Sequence, residues 1–324
     1  MNASVIDIQQ DSYLQHQIHT QDRDWAETNC YTDVWIELLH ALDFEPIAAM
    51  PFTLGIDFEG DQWTFFKFQL SDLYQLYGID VQELVIWKPL TTHIADQVAL
   101  GRPVLVELDS MYLPDTAGTA YKIAHVKTTV AVNTIDIKNK KFGYFHAQSY
   151  YQLDGDDFDK VFRLTESFDD SYLEPYVEIA KLNNKHKLTQ SQIIAESILL
   201  LKKQLKRMPK TNPFHLFKVQ LEKDLEWLKG EDISMFHQYS FATLRQLGAC
   251  FELASCYLNW LSENGEDGLI PASEQYKKIS SLAKVYQFKL ARVVSRGKSI
   301  DLSAIDEMSE CWEQGRQLLF ANYL

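Results

Sequence analysis

The stretch "RDWAETNCYTDVWIELLHALDF", residues 23–44, predicts an amphipathic helix with a cysteine at its start. Apolar side chains recur there at helical spacing, at Tyr31, Val34, Trp35, Leu38, Leu39 and Leu42. Thr28 or Asn29 can cap the helix, which leaves Cys30 in its first turn. A helix N-terminus stabilises a thiolate through the helix dipole and free backbone N–H groups. Cys30 is therefore either a nucleophile or a small apolar residue that packs at a helix end.

Composition limits the classes of protein that the chain can belong to. Of its 324 residues, 46% are hydrophobic, which is enough for two domains with real cores. The 45 acidic and 31 basic side chains give a net charge of -14. Because nucleic-acid binding needs clustered cations on the protein surface, this charge argues against a nucleic-acid partner.

Cysteine usage and hydropathy predict a cytoplasmic protein that has no contact with a membrane. The four cysteines lie far apart without a C-x-x-C motif, so neither a disulfide framework nor a zinc site is expected. The N-terminus lacks the features of a signal peptide, and no apolar segment reaches the roughly 18 residues of a membrane span. The absence of a G-x-x-x-x-G-K-[ST] motif argues against ATP, and we expect no cofactor and no metal.

Two halves of the chain differ in their periodicity. The first half alternates helical and strand-like patterns, including a buried strand "RPVLVELD" (102–109) and a strand pair, "HVKTTVAVNTID" (125–136) and "KKFGYFHAQSYYQL" (140–153). From about Leu188 onward nearly every segment is helical in pattern, with one long helix over 235–265. We therefore predict an α+β chain. Residues 1–184 would form a domain with a central antiparallel sheet, and residues 185–324 an all-α helical bundle.

A nucleophilic cysteine needs a base from elsewhere in the chain. His125 opens the strand that follows "RPVLVELD", and His146 lies on the next strand. Cysteine on an early helix, histidine at a strand start and a polar orienter on the following strand is the order of papain-like cysteine enzymes. The alternatives are that Cys30 packs, that His125 is a surface residue and that His146 is a core residue with satisfied hydrogen bonds.

Further polar residues are candidates for substrate binding. In "DFEGDQW" (57–63), Gln62 could donate to an oxyanion, and Glu59 or Asp61 could bind a substrate ammonium. The segment fits a calcium loop poorly, and its other interpretation is a simple turn. Asp109 ends a buried strand before a loop of 12 residues, where it either shapes a site or bonds the loop backbone.

An arginine in the helical half is the last binding candidate. Arg245 and Glu252 are seven residues apart, hence on one face of an otherwise apolar helix. Charged side chains in that position either pair or face a ligand, and an arginine could hold a carboxylate or phosphate through two parallel hydrogen bonds.

Long stretches of the chain resemble one bacterial family. They are "ETNCYTDVWIELLHAL", "PFTLGIDFEGDQWTFFKF", "LYGIDVQEL", "VLVELDSMYLPDTAGTAY", "HVKTTVAV", "GYFHAQSYYQLDGDDF" and "LRQLGACFELASCYL". On these the chain is identified as a member of the family called domain of unknown function 1839, over nearly its whole length.

The N-terminal half is similar, more distantly, to the amino-terminal domain of the butirosin-biosynthesis acyltransferases. The resemblance rests on Cys30, "VLVELDSMYLP" and "HVKTTVAV". It implies a papain-like fold in which Cys30 takes an acyl group and His125 serves as base. In that family the histidine stands nearer to the position of Thr128, so His146 is kept as the alternative base. His146 and Gln148 are nearest to the place of the orienting residue.

The function that the resemblance implies is acyl or aminoacyl transfer from a carrier-protein thioester to a small-molecule acceptor. The basic run "LLLKKQLKRMPK" (199–210) then suggests that an acidic carrier protein docks near Lys202–Lys210, and its other interpretation is a solvated helix face. Two alternatives use the same residues differently. One is a cysteine peptidase or amidase with water as acceptor, and the other is a non-catalytic module that binds a carrier protein or a ligand.

Overall fold

The computed structural model describes residues 2–165, 173–296 and 301–324. It is an α+β structure with an antiparallel sheet in the first half and helices throughout the second, which confirms the predicted fold class. The chain packs into two compact units. We call the first the sheet unit (Met1–Gln21, Asn29–Pro46 and Leu70–Lys187) and the second the helical unit (Asp22–Thr28, Ile47–Gln69 and Leu188–Leu324). Each unit is built from three separate stretches of chain.

The sheet unit contains seven strands and five α-helices among the described residues. The strands are β1 (Asn2–Ser4), β2 (Ile79–Glu83), β3 (Val104–Asp109), β4 (Lys127–Asp136), β5 (Lys141–His146), β6 (Ser149–Asp154) and β7 (Val177–Leu182). The helices are α1 (Gln17–Thr20), α2 (Cys30–Ala41), α3 (Leu70–Tyr77), α4 (Leu90–Ala99) and α5 (Gly155–Val161). The strand order is β2-β7-β3-β4-β5-β6, and β1 pairs with the end of β4 beyond β3.

The strand pair predicted for residues 125–153 forms a three-stranded meander. β4 and β5 make the expected hairpin, and the second predicted strand divides into β5 and β6. The division falls at Ala147, whose φ of 48° turns the chain directly after His146. Left-handed backbone at a non-glycine residue is uncommon and gave no signal in the apolar pattern.

Alternation along the strands gives the sheet two distinct faces. One face, the α4 face, carries an apolar core shared with α4 and α5 that includes Val104, Val106, Val130, Val132, Phe142, Tyr144, Val177, Ile179, Ile94, Val98, Phe158 and Val161. Ala131, Phe145 and Glu178 alternate with these residues and point to the other side. Helix α2 lies there, because the Tyr31 hydroxyl donates to Glu178 Oε2 at 2.8 Å. We call this the α2 face. The Tyr13 ring also packs on it, 5.7 Å from the Phe145 ring.

Helix α2 begins where the sequence predicted. Of the two possible caps, Asn29 is the one used: its Oδ1 accepts the backbone N–H of Thr32 at 2.9 Å. Cys30 is therefore the first helical residue, at the positive end of the helix dipole.

The helical unit contains six α-helices and a π-helix within the part of the chain that the structure describes. They are α6 (Gln190–Leu205), α7 (Pro213–Leu228), α8 (Ile233–Ser240), the π-helix Phe241–Arg245, α9 (Gln246–Glu263), α10 (Ile270–Arg296) and α11 (Ser303–Tyr323). The single helix predicted over 235–265 is thus a continuous helical run from Ile233 to Glu263 with the π-helix in its middle. In the π-helix the carbonyl of Ala242 accepts the backbone N–H of Trp63 at 3.1 Å, so the widened turn serves a hydrogen bond from a distant segment. Within the described residues, no helix is both long and apolar enough to cross a bilayer.

Candidate active site

Cys30 differs from the other three cysteines in its setting. All four thiols are free, and Cys30 is half-buried at the start of α2. Burial raises the pKa of the thiols of Cys250, Cys256 and Cys311, which keeps them protonated and poorly nucleophilic. Among the described residues the Cys30 sulfur makes no hydrogen bond, so no histidine is hydrogen-bonded to it.

Two of the predicted site residues, His125 and Asp109, form a pair. The ring Nδ1 of His125 lies 2.5 Å from Asp109 Oδ2. The carboxylate is held in turn because its Oδ1 accepts the backbone N–H of Met111 at 3.0 Å. The His125 side chain is 69% exposed, and Asp109 fixes the tautomer in which Nδ1 carries the proton. Nε2 is thus left on the solvent side, able to accept a proton.

His146 lies in a buried network instead. Its Nδ1 is 2.5 Å from Asp115 Oδ2, and its Nε2 is 2.8 Å from the Thr128 hydroxyl. The Tyr144 hydroxyl donates to the other oxygen of Asp115 at 2.5 Å. The side chains of His146 and Asp115 are only 7% and 3% exposed. Both ring nitrogens are therefore used, and the network fastens the loop that carries Asp115 to the sheet.

The two histidine pairs belong to opposite faces of the sheet. Thr128 and Tyr144 alternate with residues of the α2 face, so His146 and its partners lie on the α4 face. Asp109 and Glu107 point to the α2 face, where Lys127 Nζ also bonds Glu107 at 2.7 Å. Of the two predicted bases, His125 thus has a partner on the face that α2 covers, whereas His146 faces away from α2.

Glu178 ties the first turn of α2 to the sheet. This buried carboxylate accepts the hydroxyls of Tyr31 and Tyr176 at 2.8 and 3.0 Å. Burial and the charge of Glu178 raise the pKa of Tyr31. Burial and the hydrogen bond to Glu178 raise the pKa of Tyr176 to about 12. Both phenols therefore stay protonated and act as donors, which fixes the residue next to Cys30.

Glu59, Asp61 and Gln62 form a tight turn of the helical unit. Phe58 and Trp63 are bridged, and the backbone N–H of Glu59 donates to the Gln62 carbonyl at 2.8 Å. The Glu59 carboxylate accepts the Thr64 hydroxyl at 2.5 Å, while Asp61 and Gln62 are exposed. The turn explains the spacing of these residues, and their role toward a substrate stays a prediction.

Glu252 has partners that explain its burial, and Arg245 is not among them. Its carboxylate accepts Arg23 Nε at 3.2 Å and Lys277 Nζ at 2.6 Å. It also accepts the backbone N–H groups of Asp24 and Trp25 at 2.9 and 3.0 Å. Glu252 therefore organises the segment 22–28 within the helical unit.

Arg245 binds the same segment more loosely. Its Nε donates to the Thr28 carbonyl at 3.3 Å, and its Nη2 lies 3.4 Å from Glu27 Oε2. Nη1 has no hydrogen-bond partner among the residues that the structure describes. Arg245 thus keeps donors available for a ligand.

A second buried histidine network was not predicted. The Nδ1 of His19 is hydrogen-bonded to Glu37, and its Nε2 lies 3.3 Å from Asp33 Oδ1. The Tyr13 hydroxyl also donates to Glu37, at 2.5 Å. Burial opposes protonation of His19, but the hydrogen bonds to Asp33 and Glu37 outweigh it and raise its pKa to about 8. Asp33 and Glu37, one turn apart among the apolar residues of α2, were the available signal, because buried carboxylates require partners. Asp115 offered no comparable signal.

No group of three His, Cys, Asp or Glu residues in the described parts of the chain is placed to hold a metal ion. The fold and these contacts define an α+β protein with a cysteine at a capped helix start and a solvent-facing histidine–aspartate pair on the sheet that this helix covers. The chain belongs to the DUF1839 family. The model of the DUF1839 N-terminal domain matches residues 14–182, and that of the C-terminal domain matches residues 190–321. This confirms the predicted family. A comparison with curated proteins finds no match.

Proposed function

We propose that the chain is a cysteine-dependent acyl- or aminoacyltransferase that takes its acyl group from a carrier-protein thioester. The observation that carries the proposal is the His125–Asp109 pair, with Nδ1 held at 2.5 Å and Nε2 on the solvent side. A carboxylate that orients a histidine through Nδ1 prepares Nε2 to act as a general base.

Cys30 is the nucleophile of this proposal. It is the first residue of an Asn29-capped helix, where backbone N–H groups of the first turn have no partner within the helix. The three remaining thiols have pKa values raised by burial and are poor alternatives. Tyr31, held by Glu178, would keep the first turn of α2 in place during the reaction.

The reaction has two steps. The Cys30 thiolate attacks the thioester carbonyl, the carbon–sulfur bond to the carrier breaks, and the carrier leaves as a thiolate that takes up a proton. The amine of a small-molecule acceptor then attacks the acyl-Cys30 carbonyl, His125 Nε2 takes the amine proton, and Cys30 leaves as the thiolate. His125 must approach the acyl-enzyme for this second step, and catalytic hydrogen bonds commonly tighten only when substrate is bound.

The second candidate function is a non-catalytic binding module. It is favoured by the distance along the sheet between Glu178, which binds the residue next to Cys30, and Asp109, which binds His125. Glu178, which binds the residue next to Cys30, is the cross-strand neighbour of Leu105. Asp109 lies four residues farther along β3, or about 13 Å at the usual strand rise. If that spacing persists when ligand binds, the chain holds its ligand without covalent chemistry.

The proposed partner is an acidic acyl or aminoacyl carrier protein that docks near Lys202–Lys210. Lys202 and Lys203 close α6, and Lys206, Arg207 and Lys210 are exposed directly after it. Cations of this kind would steer an acidic partner at low ionic strength. A reducing cytoplasmic location suits four free cysteines.

A transfer assay tests the proposal. An acylated carrier protein and an amine are incubated with wild type, Cys30→Ala and the control Cys256→Ala. The proposal expects transfer by wild type and the control, and none above background by Cys30→Ala. Undiminished transfer by Cys30→Ala would exclude a Cys30 acyl-enzyme. Product analysis with and without the amine separates a transferase from a hydrolase, because only the hydrolase releases free acid at the same rate in both.

A further inference from the structure

Asp115, the buried partner of His146, belongs to the same loop as His125. The loop covers residues 110–126 between β3 and β4, so it begins directly after Asp109 and contains His125 one residue before its end. Asp115 lies inside it, in a short 3₁₀ turn. The contacts that hold Asp115 in place can therefore also hold His125.

Asp115 fixes the middle of this loop to the sheet. Its carboxylate accepts the Tyr144 hydroxyl at 2.5 Å and lies 2.5 Å from His146 Nδ1, and both partners lie on β5. Leu113, two residues before it, is fully buried in the apolar core of the α4 face. Because β5 is paired on both sides, this anchor lies on a part of the sheet that opens least readily.

Hydrogen bonds lead from this anchor to the backbone of His125. Thr116, the residue after Asp115, donates its hydroxyl to the Ser110 carbonyl at 2.8 Å. Ser110 is buried and donates both its backbone N–H and its hydroxyl to the Val126 carbonyl, at 2.9 and 2.7 Å. Val126 directly follows His125, so this path fixes the backbone that carries the histidine.

The His125 ring is placed by contacts with the first residues of the same loop. Its centre lies 6.2 Å from that of the Tyr112 ring, in an edge-to-face contact. The backbone N–H of Met111 donates to Asp109, which orients the carboxylate that bonds Nδ1. Lys122 donates its backbone N–H to the Met111 carbonyl at 3.0 Å and so ties the two ends of the loop together. The orientation of this largely exposed ring therefore depends on the shape of the loop.

We propose that Asp115 is a positioning residue for the His125 base, because it holds the loop that presents His125 Nε2 to the acceptor amine. This role rests on the proposed function, in which His125 takes the amine proton in the second step. A displacement of about 1 Å in a reacting group can lower a rate by about 10²-fold. The buried network thus supplies a precision that an exposed histidine does not obtain from its own contacts. Asp115 itself touches no reacting atom.

The first experiment observes the His125 ring directly and needs no substrate. The histidines of the full-length protein are labelled with ¹⁵N, and the ring signals of His125 are assigned by their absence in His125→Ala. At a pH where the ring is neutral, we expect the Nδ1–H tautomer in wild type and a mixture of both tautomers in Asp115→Ala. Ile135→Ala, which destabilises the core at the other end of β4, is the matched control and should keep the wild-type tautomer. The wild-type tautomer in folded Asp115→Ala would overturn the proposal.

The second experiment separates the two steps of acyl transfer. Because His125 acts only when the amine attacks, Asp115→Ala should slow the transfer of the acyl group from Cys30 to the amine by about tenfold or more. The loading of Cys30 should stay within a few-fold of wild type. Asp115→Asn keeps an oxygen that accepts the Tyr144 hydroxyl and should recover most of the rate. Equal slowing of both steps by Asp115→Ala would indicate a general structural effect and overturn the proposal.

A double variant tests whether Asp115 acts through His125. If it does, Asp115→Ala causes no further slowing of the amine step in a His125→Ala background. A further loss as large as that seen with His125 present would contradict the positioning role.

Thr116→Val serves if Asp115→Ala does not fold. It removes the hydrogen bond to Ser110 and leaves the Asp115 carboxylate in place, so it should give a mixture of tautomers and slow the amine step. The wild-type tautomer in this variant would equally overturn the proposal. If Cys30 of the wild type takes no acyl group, the proposed function fails, and the tautomer experiment still decides whether Asp115 positions His125.

Discussion

Among its described residues, the sheet unit contains two histidine–aspartate pairs with the same hydrogen bond through Nδ1 and opposite surroundings. In each, Nδ1 lies 2.5 Å from a carboxylate oxygen: His125 with Asp109, and His146 with Asp115. The first histidine is mostly exposed and has a free Nε2, whereas the second is buried and its Nε2 is occupied by Thr128. The bond alone therefore does not mark a catalytic base. The role of each pair depends on the solvent exposure of the histidine and on whether its second ring nitrogen already has a hydrogen-bond partner.

Of the two paired histidines, His125 should have the larger effect on activity when it is substituted. His125→Ala should lower kcat/KM for acyl transfer by about 10²–10⁴-fold, because general base catalysis is lost. The matched control is Lys127→Ala, which removes an exposed cation from the same sheet face and should leave the rate within a few-fold of wild type. A rate unaffected by His125→Ala would assign the proton transfer to another group.

The buried pair should instead matter for stability. Asp115→Ala leaves the Nδ1 proton of His146 and the Tyr144 hydroxyl without a buried partner, and should lower the free energy of unfolding by about 3 kcal/mol. Urea denaturation measures this directly. A loss below about 1 kcal/mol would show that water replaces the carboxylate and that the network does not clamp the loop.

A third histidine, His19, differs from these two because its protonation should make the free energy of unfolding depend on pH. Its two carboxylate partners raise its pKa to about 8 in the folded chain, compared with 6.5 in the unfolded chain. This difference stabilises the folded state by about 2 kcal/mol when His19 is protonated in both states. This contribution is complete below pH 6.5 and is lost as the pH rises through 8. Unfolding free energies between pH 6 and 9 should show the decline in wild type and not in His19→Gln. An identical pH dependence in both proteins would contradict the assignment to His19.

The smallest effect is expected for the stability of the exposed pair. His125→Ala should change the free energy of unfolding by less than about 1 kcal/mol, because solvent-exposed ion pairs contribute little. Urea denaturation of this variant beside Asp115→Ala compares the two pairs in one experiment. If His125→Ala proved as destabilising as Asp115→Ala, the division into a reactive and a structural pair would fail.

Much of the fold followed from the sequence because it depends on local patterns. The spacing of apolar residues and the Asn29 cap predicted α2 and the position of Cys30, and β-branched runs predicted β3 and β4. The π-helix at 241–245 escaped prediction, and the hydrogen bond that its Ala242 carbonyl accepts from Trp63 joins residues nearly 180 positions apart in the chain. Apolar periodicity carries no information about such a contact.

The candidate site was predictable in its residue types and less so in its pairings. Cys30, His125 and Asp109 were identifiable as chemical groups, but the partner of His146 was not. Asp115 lies 31 positions away from His146 in a loop whose path depends on tertiary packing.

Acylation of Cys30 is tested most directly by the mass of the Cys30-containing peptide after incubation with an acyl thioester. Wild-type protein is loaded from an acylated carrier protein without acceptor, digested and analysed by mass spectrometry. A Cys30 acyl-enzyme requires one added acyl group on the peptide that contains Cys30, its loss when an amine is added, and slower loss in His125→Ala. Transfer to the amine that proceeds without any acyl group on Cys30 would contradict it.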